Sequence, residues 1–400
     1  MKKKLYIVIS LSLLYGCNSR EGNKQEKMVE SFNPVTIDVT KIIESDKPLM
    51  LSQFAETISY ISLSEEPLIG DISYTSVVVI DDTIYVDSEN IYKYTSKGKF
   101  IKKLFVVGQG PGEALKSSTT PAAFNKKEKY VTFSYKSIFN VSYSFNGDFL
   151  GKSDPVEEDS HKFLETYFND YSLYSTKHRI TSDSRNSLGQ YLFYVKDINT
   201  DSVFYFYPNP AANDNPSFNA QIELDKPDMN FIHIDSVLWF KHYVLDTIYS
   251  TQDFINILPR YIFKTDNTYL NIHEYIQFRN KVLDLNRVKV AKTITGILPL
   301  PTGDLLFTIN GKLSLASKDG NVYSYTLKSS INDIDEYLKE IDIANIIESR
   351  TFYVENNYLY ILVDAFKFFE DGCKPPFNEL MEESNPVVVK IKLKTPSQQS

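Results

Sequence analysis

From residue 77 onward, apolar and polar positions fall into short runs separated by turn residues. Val77, Val78, Val79 and Ile80 lead to Asp81-Asp82, then to Thr83-Ile84-Tyr85-Val86 and Ile91-Tyr92-Lys93-Tyr94. A turn at Lys97-Gly98 and the run Phe100-Ile101-Lys102-Lys103-Leu104 follow. Short runs rich in β-branched and aromatic residues, bounded by Asp, Asn and Gly, are the pattern of antiparallel strands joined by tight turns. The unit recurs at Tyr130, Val131, Thr132 and Phe133 with a turn at Asn146-Gly147, and at Asp304, Leu305, Leu306 and Phe307 with a turn at Asp319-Gly320. From the first aliphatic of the second strand to the turn glycine, Ile84 to Gly98, Val131 to Gly147 and Leu305 to Gly320 span 14, 16 and 15 positions. Further units lie at residues 191–206, 237–262 and 352–363 with 387–393. Residues 55–394 therefore hold about six units of roughly 57 positions each, a little above the usual length of a propeller blade repeat. The expected fold is all-β: a six-bladed β-propeller of four-stranded antiparallel blades, with a short acidic helix near 333–348. A β-sandwich would need fewer strands. Residues 58–63 and 387–393 both alternate apolar and polar positions, which predicts that the two ends of the domain share one blade and leave no open seam.

Composition agrees, since 28 Tyr and 26 Phe against 5 Met suit pleated, half-buried surfaces. A single tryptophan, Trp239, with no Trp-Asp pair excludes a WD40 array, and the lack of a Gly-Gly doublet argues against kelch repeats.

The N-terminus reads differently. Lys2, Lys3 and Lys4 precede an apolar run over residues 5–14, too short to span a bilayer and built as a secretion signal. It closes with Leu14-Tyr15-Gly16-Cys17, which resembles the bacterial lipobox. The resemblance implies cleavage before Cys17 and lipidation of that residue. The expected organisation is a signal peptide over 1–16, a lipidated flexible tether over 17–35 and the propeller over 36–396. Asn18, in place of the aspartate that marks inner-membrane retention, points to the outer membrane. Only Cys373 would then remain as a free thiol, so no intrachain disulfide is expected. Removing residues 1–16 takes away three lysines and no acid, moving the formal charge from -8 to -11. Such a surface argues against nucleic acid as a partner.

Four patches carry a wider resemblance. They are residues 54–63 before the first unit, Gly108-Gln109-Gly110-Pro111-Gly112-Glu113 after it, Asp246-Thr247-Ile248-Tyr249, and Asn332-Asp333-Ile334-Asp335; Asn385-Pro386-Val387-Val388-Val389-Lys390 closes the series. In this order they resemble the bacterial six-bladed β-propeller lipoproteins, NHL-like and abundant in gut Bacteroidetes. The likeness spans nearly the whole chain after residue 17. It departs after Asp335, where the family often continues with glycines and a Pro-Trp element.

Little is organised for catalysis. His161, His178, His233, His242 and His273 show no metal-ligand spacing, although distant histidines could meet at a propeller axis. No nucleophile elbow or phosphate loop occurs. Asp81, Asp82 and Asp87 do not have calcium-loop spacing, and Asp319-Gly320 reads as a hairpin turn. No metal and no cofactor is expected. The expected function is a membrane-anchored binding scaffold for a glycan, peptide or partner protein; the alternative is a hydrolase or lyase with its site at the central channel. The candidate mouth loop is Gly108, Gln109, Gly110, Pro111, Gly112 and Glu113, with residues 154–161, 208–216 and 333–340 on the same face. Gln109 and Glu113 either face a ligand or pin two blades together by bonding backbone.

Overall fold

The computed structural model describes residues 33–396 except 71, 73–74, 111, 117–120, 136–138, 154–161, 177–190, 209–228, 243–244, 270–290 and 371. Alternation produces the expected meanders. The first blade runs Ser76–Ile80, Thr83–Asp87, Ile91–Thr95 and Phe100–Lys103; the second, Ala123–Asn125, Tyr130–Tyr135, Phe139–Ser144 and Phe149–Ser153; the third, Lys162–Phe168, Tyr171–Thr176, Tyr191–Asp197 and Val203–Pro208. A five-stranded blade holds Ile294–Pro299, Leu305–Ile309, Lys312–Ala316 and Val322–Tyr325, with Ile43–Ser45 added at its outer edge. Each chain path moves outward from an inner first strand. Asp81 and Asp82, with φ of 48° and 57°, make the two-residue turn that Asp tolerates and that matches strand twist.

The expectation of six separate blades needs correction: the described residues form five, one of them double. Its early half is Met229–Ile234, Val237–His242, Thr247–Thr251 and Leu258–Lys264, with Val35–Asp38 at the edge. Its late half is Phe352–Glu355, Tyr358–Val363, Val387–Leu393 and Ala55–Ser62. The two halves become one nine-stranded sheet through a single parallel bridge between Ile234 and Val354 on their inner strands. Unit spacing counts meanders, and it carries no information about two inner strands touching at the axis.

Closure follows the alternation at the chain ends. Val387 to Leu393 pair antiparallel with Ser62 to Ala55, so the N-terminal strand is the outermost of the late half. The core lies between blades, aliphatic in the cluster around the late half and the helix, and its largest fully buried side chains include Tyr94, Tyr143, Phe133, Phe193, Phe240, Phe263, Phe307 and Phe368. Phe105, Phe133 and Tyr143 pack ring on ring at 4.8–6.0 Å, which adds to burial where the link after the first blade meets the second blade.

The helix is also shorter than expected. It covers Ile343–Ser349, capped by the Asp342 carboxylate, which accepts from Asn345 N–H at 3.0 Å. Residues 333–339 instead wrap the buried Asn332 side chain, which accepts from Ile334 N–H and donates to Asp335 Oδ1 and Leu338 O. A side chain that satisfies nearby backbone in this way competes with helix formation.

Candidate functional site

The first hairpin of each meander lies at one end of the axis and carries the charged turn residues. Lys126, just past the inner strand of the second blade, donates from Nζ to Glu355 Oε1 of the late half at 3.0 Å. The ammonium also sits 4.7 Å from the Tyr353 ring centroid. The first blade lies between these two in the ring, so a pair that bypasses it meets at the axis. Asn356 N–H likewise donates to Asp235 Oδ1 of the early half at 2.6 Å, bypassing the five-stranded blade. Thr166 of the third blade and His233 of the early half share a hydrogen bond of 2.8 Å. Around this mouth, Lys129 pairs with Asp81 and Lys127 with Asp170, tying the second blade to its two neighbours.

Burial fixes His233 and Tyr353 in single protonation states. Desolvation, with the Lys126 charge, lowers the His233 pKa to about 3, so its ring is neutral at ordinary pH and serves as a fixed hydrogen-bonding group. Desolvation first, then Glu355, holds the Tyr353 hydroxyl far above the usual tyrosine range. Lys126 and Glu355 keep 36% and 28% of their side-chain surface, enough to touch a ligand.

At the other end the helix packs over the five-stranded blade. A Cβ on Gly296 would lie 2.8 Å from Ile347 Cγ1, which is why the strand has glycine there. Glu348 Oε1 accepts from the hydroxyls of Thr295 at 2.5 Å and Thr308 at 2.9 Å. Lys241, 1% exposed, donates to the carbonyls of His242 and Ile294, and burial lowers its pKa to about 7. His233 and His242 therefore stand at opposite ends of one hairpin and do not form a pair; His161, His178 and His273 lie outside the described residues.

The loop singled out in sequence is elsewhere. Glu113 Oε2 accepts from Gly110 N–H at 2.8 Å, Gly108 N–H donates to Ala114 O at 3.1 Å, and Tyr143 of the second blade donates to Gly112 O at 3.0 Å. Gly112 lies beside Phe149 on that blade's outer strand, and Gln109 is exposed. Cys17 and Pro111 fall outside the described residues, as do 154–161 and 209–216. Glu113→Ala should lower the melting temperature by a few degrees, because a charged acceptor bonded to backbone contributes roughly 1.5–3 kcal/mol. Unchanged melting by calorimetry would show that the carboxylate does not hold the loop.

Two of the other recognisable patches are clasps as well. Asp333 accepts from Ser52 N–H and Oγ, and Asp335 accepts from the Tyr60 hydroxyl at 3.0 Å, fastening the N-terminal segment. Asn385 accepts from Ile69 N–H and donates to Ser64 O and Pro67 O. Sequence reading missed Lys126, Asp235, Glu355 and Asn356. Their signal was positional, since each lies in or beside the first hairpin turn of its unit.

Residues 21–282 match the family described as Domain of unknown function (DUF4933). The chain belongs to this family. No protein with a curated description matches it. Among solved structures, the DUF4933 chain is similar to a Bacteroides fragilis protein named as a candidate exported protein, with a TM-score of 0.62 at 13% identity over 91% of this chain and 100% of the other. It is also similar to a duf4221 family member from Bacteroides vulgatus, with a TM-score of 0.48 at 13% identity over 85% and 97% of the two chains. Virginiamycin B lyase from Staphylococcus aureus gives a TM-score of 0.40 at 11% identity, over 84% of this chain and 99% of the lyase. At these identities the first likeness shows the propeller fold alone.

Proposed function

We propose that this DUF4933 protein is an exported β-propeller, lipidated at Cys17 and held at the outer membrane, that serves as a binding scaffold. Its ligand, a glycan, peptide or partner protein, docks at the hairpin-side mouth of the axis. The observation that carries this reading is the Lys126–Glu355 pair spanning the axis, about a third exposed and ringed by fixed hydrogen-bonding groups. A general base must exchange its proton near working pH, whereas His233, lowered to about 3 and bonded to Thr166, supplies fixed polarity instead. The name of the Bacteroides fragilis neighbour and the lipobox-like Leu14-Tyr15-Gly16-Cys17 support export.

The test is a glycan and peptide array probed with the detergent-solubilised full chain and with its Lys126→Ala/Glu355→Ala variant. The pair is partly solvated, so the double change should cost less than about 1 kcal/mol of stability. Binding that disappears with unchanged melting supports the site; equal binding by both proteins overturns it. For the anchor, Cys17→Ala should abolish incorporation of a fatty-acid probe in cells, and undiminished labelling would remove the lipid from the proposal.

A further inference from the structure

The molecule itself shows what the outer edge of a blade accepts. Val35–Asp38 adds to the early half as a parallel strand, Val35 opposite Tyr261 and Asp38 opposite Lys264. Ile37 is fully buried there, and Lys264 Nζ lies 3.0 Å from Asp38 Oδ2. Ile43–Ser45 adds to the five-stranded blade in the same direction. In the first case the added strand brings a buried aliphatic at one position and a carboxylate that meets a lysine of the edge.

The first blade offers such an edge with nothing added. Its outer strand Phe100–Lys103 is terminal among the described residues. Ile101, at a bulge of this strand, is 46% exposed, and the chain runs on into Val106 and Val107, 64% and 55% exposed, which pair with Glu113 and Ala114. Lys102 donates to Asn146 O and Lys103 lies 5.4 Å from the Tyr92 ring centroid, yet neither meets a carboxylate among the described residues. This is a basic, apolar strip on a chain of net charge -8. Lysines on an open edge oppose pairing with the same edge of a second copy, since like charges would be brought together. They favour an acidic strand for the same reason.

We propose that the outer edge of the first blade is a docking site for an extended acidic segment of a partner protein. The segment adds as a fifth, parallel strand, with an apolar position beside Ile101, further apolar positions toward Val106 and Val107, and a carboxylate at Lys103; Lys102, on the opposite face, keeps its bond to Asn146 O. Backbone pairing supplies affinity, and the alternating side chains supply selection. This surface is separate from the axial mouth, so the two proposals fail independently.

The test uses the full chain and labelled octapeptides followed by fluorescence anisotropy. One alternates Ile and Glu, a second alternates Ile and Lys, and a third is the acidic peptide with a central proline. The acidic peptide should bind, weaken on added salt, and lose affinity at least about tenfold with Ile101→Glu/Lys103→Glu. That variant should melt as the parent does, since both side chains are exposed, and it should now bind the Ile-Lys peptide. Val106→Glu/Val107→Glu, away from the strand itself, serves as the second variant and should also weaken the acidic peptide. Failure of the acidic peptide to bind the parent, equal binding by both variants, or undiminished binding of the proline peptide overturns the proposal. A parent dimer in sedimentation that dissociates on Ile101→Glu/Lys103→Glu would assign the edge to a second copy instead, and overturn it equally.

Discussion

A chain shortened to begin at Glu65 should fail to melt cooperatively, whereas one beginning at Lys47 should melt as a single transition at a reduced temperature. The shorter deletion removes only the strands added at the edges of the early half and the five-stranded blade, Val35–Asp38 and Ile43–Ser45. The longer one removes Ala55–Ser62, the outermost strand of the late half, and exposes a row of backbone donors and acceptors on Val387–Leu393. It also takes away Leu49, Leu51, Phe54 and Leu63, each at most 2% exposed. Burying a side chain of that size contributes roughly 1.5–3 kcal/mol, so with Ile37 the loss is comparable to the whole net stability of a domain, about 5–15 kcal/mol. The Ser52–Asp333 and Tyr60–Asp335 clasps go as well. Near-ultraviolet circular dichroism during heating reads the outcome. A soluble protein beginning at Glu65 with a sharp transition would show that the blade does not need its fourth strand.

The second large effect is expected at a buried ion pair. Lys116 Nζ lies 2.9 Å from Asp87 Oδ1 and donates to Ser88 O, and the two side chains are 1% and 2% exposed. Asp87 Oδ2 also accepts from Ala122 N–H at 2.7 Å, so the pair joins the first blade to the link leading into the second. Desolvation raises the Asp87 pKa, with the Lys116 charge opposing it. Lys116→Met leaves the carboxylate buried and without its cation, which costs roughly 3–5 kcal/mol and should lower the melting temperature on the order of 10 °C. In the variant the folded pKa of Asp87 rises further above its unfolded value of about 3.9. The folded state then holds the extra proton between those two values, so stability falls as pH rises through that window and recovers on acidification toward pH 4. Asp87→Asn added to Lys116→Met should recover part of the loss at neutral pH. A Lys116→Met protein that melts like the parent, or whose deficit is independent of pH, would show that Asp87 is solvated in the folded protein.

What the amino-acid order determines by itself is everything with a short range. Two-residue alternation decides which face of each strand is buried, and Asp81-Asp82, Lys97-Gly98, Asn146-Gly147 and Asp319-Gly320 mark turns by their backbone preferences, so the meanders and the pairing of 387–393 with residues 55–62 are legible in advance. The tertiary structure decided the rest. Ile234 meets Val354, making two meanders one sheet, and Lys126 meets Glu355 across the axis. Asn332 takes up the backbone of Ile334 and Leu338, which a helical reading placed within 333–348. The patches easiest to recognise in sequence, around Asp333, Asp335 and Asn385, proved to be clasps on the N-terminal segment and the first link, while the mouth is lined by turn residues with no motif at all. Strand and turn propensities act over a few neighbouring residues and are written locally. Which charged turn faces which across a closed ring depends on the sum of all the blade rotations between them, a quantity that no local pattern contains.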